Sequence, residues 1–114
     1  MFYLNHVILA GRLKDGPEIR YTPKGKPVII FTLNLPSERL EEEHLPFAFE
    51  TVSIKVMLVG ERSERWAKKE VKGVRNVLVE GGLVQRRWET EEGKMMKEIG
   101  ILAYKVREFN NKEV

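Results

Sequence analysis

The sequence predicts an all-β protein: a small barrel of five strands with one helix between the third and fourth strands. Three observations carry this prediction. Short apolar, β-branched runs recur between turn residues along the whole chain. The fourth run is interrupted by a Gly pair at 81–82, where a strand that must turn a barrel corner would bend. Residues 61–72 are the one convincing helix, a charged segment with Trp66 and Val71 as its apolar side. At 114 residues the chain has the size of one domain with its own core.

The elements follow in order. "NHVILAGRLK" (5–14) reads as the first strand, apolar and then charged. Gly16, Pro17, Pro23 and Gly25 make the next segment a turn-rich connection. "PVIIFTLNL" (27–35) is the second strand, apolar enough to be covered on nearly both faces, and Pro36 ends it. "SERLEEEHLP" (37–46) is an acidic loop. "FETVSIKVMLVG" (49–60) is the third strand. Its alternation puts Val52, Ile54, Val56 and Leu58 on a core face and Ser53, Lys55, Met57 and Val59 on a mixed one. "ERSERWAKKEVK" (61–72) is the helix, with Trp66 and Val71 as its apolar side and Gly73 as its stop. "NVLVEGGLVQRRWE" (76–89) is a long strand with a bulge expected at Gly81–Gly82. "TEEGK" (90–94) is a hairpin turn and "MMKEIGILAYKVREF" (95–109) the return strand. Five strands with a helix between the third and fourth is the layout of an OB-fold. The domain is expected to occupy 1–109, with 110–114 a short C-terminal extension.

Charge narrows the function. The net charge is +3. Residues 37–50 hold one Arg against five Glu, so the rest of the chain is distinctly basic, which suits a polyanionic partner. There are no cysteines, which excludes disulfides and thiolate metal sites. His6 and His44 have no spaced ligand partner, and Glu41–Glu43 reads as solvated charge, so no metal or other cofactor is expected. No serine lies in a nucleophile elbow and no phosphate-binding glycine motif occurs, so the chain is not expected to be an enzyme. The apolar runs are too short for a membrane-spanning helix, and "MFYLNHVILAGR" lacks the basic start of a secretory signal. A soluble, cytoplasmic protein with no membrane partner is the expectation.

Specific residues then carry a resemblance. The elements "NxVILxGRL" (5–13), "PExRYTPxG" (17–25) and "FTL" (31–33), with "VEGGLVQRRWE" (79–89) further on, resemble the bacterial single-stranded DNA-binding proteins from about Leu4 to Phe109. The resemblance implies an OB-fold domain that assembles as a homo-oligomer, a tetramer or a dimer. It also implies sequence-tolerant binding of single-stranded DNA in replication, recombination and repair, by a cationic groove with aromatic stacking.

On that pattern Trp88 is the stacking platform, with Arg86 and Arg87 beside it. Lys55, the one cation on the mixed face of the third strand, is a phosphate contact. Arg12 either contacts phosphate or pairs with a glutamate across the sheet. Lys72, at the end of the helix, is a further candidate. Three other stacking positions of the family fall at Ser53, Val59 and near Arg39, and Phe47 and Phe49 are the candidates to replace them. Arg20 is expected to pair with Glu18 and Tyr21 to pack over the barrel. The scarcity of aromatics and the ending "REFNNKEV" also resemble primosomal replication protein N, a dimeric OB-fold protein of replication restart. The alternative is therefore an assembly module that meets replication or restart proteins and binds DNA weakly.

Overall fold

A computed structural model describes residues 1–13, 17–36, 45–60 and 75–109, all as strands and connections. The helix expected at 61–72, the acidic loop and the extension at 110–114 lie outside these residues.

The strands are β1 (Val7–Leu13), β2 (Glu18–Tyr21), β3 (Pro27–Leu35), β4 (Val52–Val59), β5 (Arg75–Glu89) and β6 (Met95–Phe109). Five of them close a ring. β1 pairs antiparallel with β5, β5 with β6, β3 with β4 and β1 with β3. Val56 and Met57 of β4 meet Ile101 and Leu102 of β6 in parallel, which completes the barrel.

The sheet has six strands rather than five, because the connection after β1 contains β2. Glu18–Tyr21 pairs with Ile30–Pro27 on the edge of β3 that β1 leaves open, since β1 reaches β3 only at Leu33 and Asn34. Edge pairing there satisfies backbone groups that a bare connection would leave to water. As expected, Arg20 Nε lies 2.8 Å from Glu18 Oε1. Tyr21, however, is 57% exposed rather than packed over the barrel, because β2 lies at the edge of the sheet.

Alternation builds the core. Leu13, Ile29, Phe31, Leu33, Val56, Val77, Val79, Ile101 and Ala103 fill the barrel, and Val7, Leu9, Ile54, Leu58 and Val106 pack around them. The core face read from β4 is thus centred on Val56, while Val52, at the strand's start, is exposed. The β5–β6 ladder shifts register between Glu80 and Gly81. Glu80 faces Lys105 and Gly81 faces Ala103, so Tyr104 is the extra residue. The expected bulge is present, with its additional residue on β6.

Two turns share one design. In 22–26 and in 90–94 the sequence is T-x-x-G-K. In each, the Thr N–H donates to the Lys carbonyl, the Gly N–H donates to the Thr carbonyl, and the Lys N–H donates to the Thr hydroxyl. Gly25 and Gly93 take φ of 83° and 81°, which a side chain would resist.

The N-terminal segment is tied down by Asn5. Its Nδ2 donates to the Leu83 carbonyl at 2.8 Å, and its Oδ1 accepts from the Leu83 N–H at 2.7 Å. One side chain thus imitates a strand partner at the base of the β5–β6 hairpin. Asn5→Ala is expected to speed exchange of the Leu83 amide by about two- to tenfold, from the net worth of one or two hydrogen bonds. An unchanged rate in amide exchange by NMR would refute the clamp.

Candidate nucleic-acid interface

The outer face of the barrel opposite the core carries the polar groups. On β3 this face holds Val28, Ile30, Thr32 and Asn34, and on β4 it holds Ser53, Lys55 and Met57, because Ile29, Leu33 and Val56 point inward. The register sets Asn34 beside Ser53 and Thr32 beside Lys55. Both pairs are hydrogen-bonded: Ser53 Oγ to Asn34 Oδ1 at 2.7 Å, and Lys55 Nζ to Thr32 Oγ1 at 2.8 Å. The lysine is held across the strands while its remaining N–H donors stay available to an anion.

The same face continues onto the β5–β6 hairpin. A Cβ on Gly100 would lie 2.9 Å from the Lys55 carbonyl and 3.6 Å from Met57 Cε, so β6 crosses β4 closely here. From Gly100, alternation and register place Glu98 and Met96 of β6, and Val84, Arg86 and Trp88 of β5, on this face. The structure therefore brings Lys55, Arg86 and Trp88 to one outer face. Trp88 is 37% exposed, and the Arg86 guanidinium carbon lies 4.7 Å from its ring centroid, a cation–π contact. Arg86 Nη2 also lies 3.5 Å from Glu98 Oε2.

Arg87 does not join them. It is adjacent to Arg86 in sequence, so the strand period sends it to the opposite face of the hairpin, opposite Lys97. Arg12 stands on the outer face of β1, with Asn34 as its β3 partner and Asn76 as its β5 partner. It lines a hollow of about 340 Å³ with Asn34, Leu35, Pro36 and Thr51. Neither cross-strand partner is a glutamate. Lys72 lies outside the described residues.

Phe47 and Phe49 precede β4 rather than belonging to it. They pack edge to face, with centroids 5.3 Å apart and planes at 89°. Phe47 is 57% exposed and Phe49 47%. Phe49 lines a hollow of about 450 Å³ beside Ile8, Ala10 and Pro36, on the β1 side of the barrel. Phe49's hollow shares Leu35 and Pro36 with the hollow that Arg12 lines, so the pair stands on the β1 side and not in the Trp88 cluster. It forms a second aromatic station, joined to the first by the Asn34–Ser53 and Thr32–Lys55 pairs.

The sequence reading omitted Thr32, Asn34 and Glu98. Alternation along 27–35 would have found the first two. Counting register outward from the 90–94 turn would have set Glu98 opposite Arg86. Among the described residues there is no group of three His, Asp or Glu side chains placed to hold a metal, and no helix long and apolar enough to cross a membrane.

Comparison with known proteins gives the following. The model of the Single-strand binding protein family matches residues 4–109. The single-stranded DNA-binding protein of Aquifex aeolicus is 40% identical over 107 residues, covering 94% of this chain and 71% of that protein. That of Thermotoga maritima is 34% identical over 112 residues, covering 98% and 78%. A deletion mutant of the single-stranded DNA binding protein from Thermus aquaticus superposes with a TM-score of 0.75 at 28% identity, covering 96% of this chain and 52% of that one. This chain spans about half the length of that relative. The Plasmodium falciparum SSB in complex with ssDNA superposes with a TM-score of 0.78 at 20% identity, covering 96% and 98%, a likeness of fold.

Proposed function

The chain belongs to the Single-strand binding protein family, and from that premise we propose that it binds single-stranded DNA as a non-enzymatic homo-oligomer. Its work would lie in replication, recombination and repair, in the cytoplasm at the nucleoid. The domain is an OB-fold at 1–109, whose barrel is the closed ring of β1, β3, β4, β6 and β5, with 61–72 as the helix that the layout expects. One observation carries the reading: Lys55, Arg86 and Trp88 share one outer face of the sheet. A cation beside a flat ring is what an unpaired strand needs, since phosphates follow charge and every base has a face to stack. Arg12, Phe47 and Phe49 extend the path toward β1, and Arg87 acts from the far side of the hairpin as a longer-range positive charge.

Salt tests this. The logarithm of the oligo-dT association constant is expected to fall linearly with the logarithm of salt concentration, with a slope of about −0.7 per phosphate neutralised. Three engaged cations give a slope near −2 on that rule. A slope near zero would remove the cationic face from the binding site.

The second reading, an assembly module with weak DNA binding, is favoured by a different observation. Phe2, Tyr3 and Leu4 are all strongly exposed beside the Asn5 clamp. Such a segment suits a protein partner. Light scattering with and without oligo-dT, alongside the titration, separates the two readings. A stable oligomer that does not retain oligo-dT at low salt favours the second.

A further inference from the structure

The group that should grip phosphate is already engaged within the protein. Arg86 lies over the Trp88 ring at 4.7 Å. Its Nη2 is 3.5 Å from Glu98 Oε2, with the two side chains 25% and 41% exposed. Its Nε is buried and has no hydrogen-bond partner. These three facts describe a closed arrangement. The guanidinium covers part of the indole, a carboxylate faces Nη2, and the buried Nε–H donor is left unused.

We propose that Glu98 is an internal competitor for the strand: its carboxylate holds Arg86 over Trp88, and a DNA phosphate must replace it. This rests on the single-strand binding reading above and specifies how that site engages. Replacement moves the guanidinium toward the phosphate. The unused Nε–H then joins an Nη–H in a side-on, two-bond contact, the geometry in which arginine binds phosphate best. The same movement uncovers the Trp88 ring for a base. Nothing covalent changes; one anion is exchanged for another. Glu98 is thus a positioning residue. It acts through Arg86, and it sets affinity by making the strand displace a carboxylate before it is held.

The pair is accessible to solvent, so its own strength is modest. Its effect on DNA is larger than that strength alone, because the carboxylate also repels the incoming phosphate.

The test compares wild type with Glu98→Gln, which keeps the side chain's size and removes its charge. The first readout uses no DNA. Acrylamide quenching of Trp88, isolated by subtracting the Trp88→Phe spectrum, is expected to rise in Glu98→Gln as Arg86 leaves the ring. The second is oligo-dT binding across a salt series. Glu98→Gln is expected to bind about three- to fivefold tighter at low salt. Its log–log slope is expected to stay close to that of wild type, because the same phosphate meets Arg86 in both complexes. A merely structural glutamate would move neither the affinity nor the quenching in these directions. Unchanged acrylamide quenching overturns the proposal whatever happens with DNA. So does an affinity for oligo-dT equal to or below that of wild type. If wild type itself fails to bind oligo-dT, the function proposed above falls, and the quenching result still decides whether Glu98 holds Arg86 closed.

Discussion

Trp88→Ala is expected to weaken oligo-dT binding by roughly five- to 150-fold, the range that follows from about 1–3 kcal/mol per stacked base. The loss should appear as lower affinity at every salt concentration with little change in slope, because stacking neutralises no phosphate. Stability should change little in comparison. The ring is 37% exposed and projects from the hairpin, well away from the nine buried side chains of the core. Fluorescence anisotropy of a labelled oligo-dT at two salt concentrations measures the effect. An affinity within twofold of wild type would show that Phe47 and Phe49 carry the stacking instead. Trp88→Phe makes the complementary point: a smaller flat ring should recover most of the loss if stacking is the source.

The second large effect concerns the barrel. Gly81→Ala is expected to destabilise the protein by about 3 kcal/mol, at the upper end for an overpacked site. A Cβ at Gly81 would lie 2.2 Å from the Leu102 carbonyl oxygen and 2.9 Å from Ala103 Cα. Both are backbone atoms of the paired strand, so neither can move without disturbing the ladder at its bulge. Gly82 provides the control. A Cβ there meets the Tyr104 hydroxyl at 3.2 Å and Asn5 Oδ1 at 3.3 Å, the ends of two side chains that can shift. Gly82→Ala should therefore cost clearly less in urea unfolding. Equal losses for the two variants would mean that strand entropy, and not close approach, explains the glycine pair.

Much of the fold was legible because its signals are local and periodic. The five ring strands lie where apolar runs were read, 27–35 and 95–109 to the residue. Gly81 marked the corner because a missing side chain is visible in any sequence. β2 was hidden for the opposite reason. Four residues between prolines carry no pattern of their own, and Glu18–Tyr21 is a strand because β1 leaves part of β3's edge unpaired. That is a fact about two other strands.

The candidate site was legible as residue types and less so as an arrangement. "RRW" looks like one cluster in the sequence, yet a strand turns over at each residue, so Arg86 joins Trp88 and Arg87 leaves them. Phe47 and Phe49 were near β4 in sequence but stand over the β1 side in space. Glu98 was overlooked because its meaning depends on register. It lies 12 residues along the chain from Arg86 and directly across the ladder from it.

The two T-x-x-G-K turns show what such a register is made of. Identical bonds close both, and in each the residues just outside the turn, Tyr21 and Pro27 or Glu89 and Met95, face one another. Yet one turn begins a four-residue ribbon and the other joins two strands of 15 residues each. The pentapeptide behaves like a punctuation mark: it orders a reversal and fixes the starting alignment, and it says nothing about how far the clause runs. Length is written in the flanks. Pro17 lies just before the short ribbon, and the alternation of 76–89 and 95–109 sustains the long arm that carries Trp88. The reach of the hairpin beyond the barrel is therefore encoded by the strands, while the turn at its tip encodes only which residues meet across it.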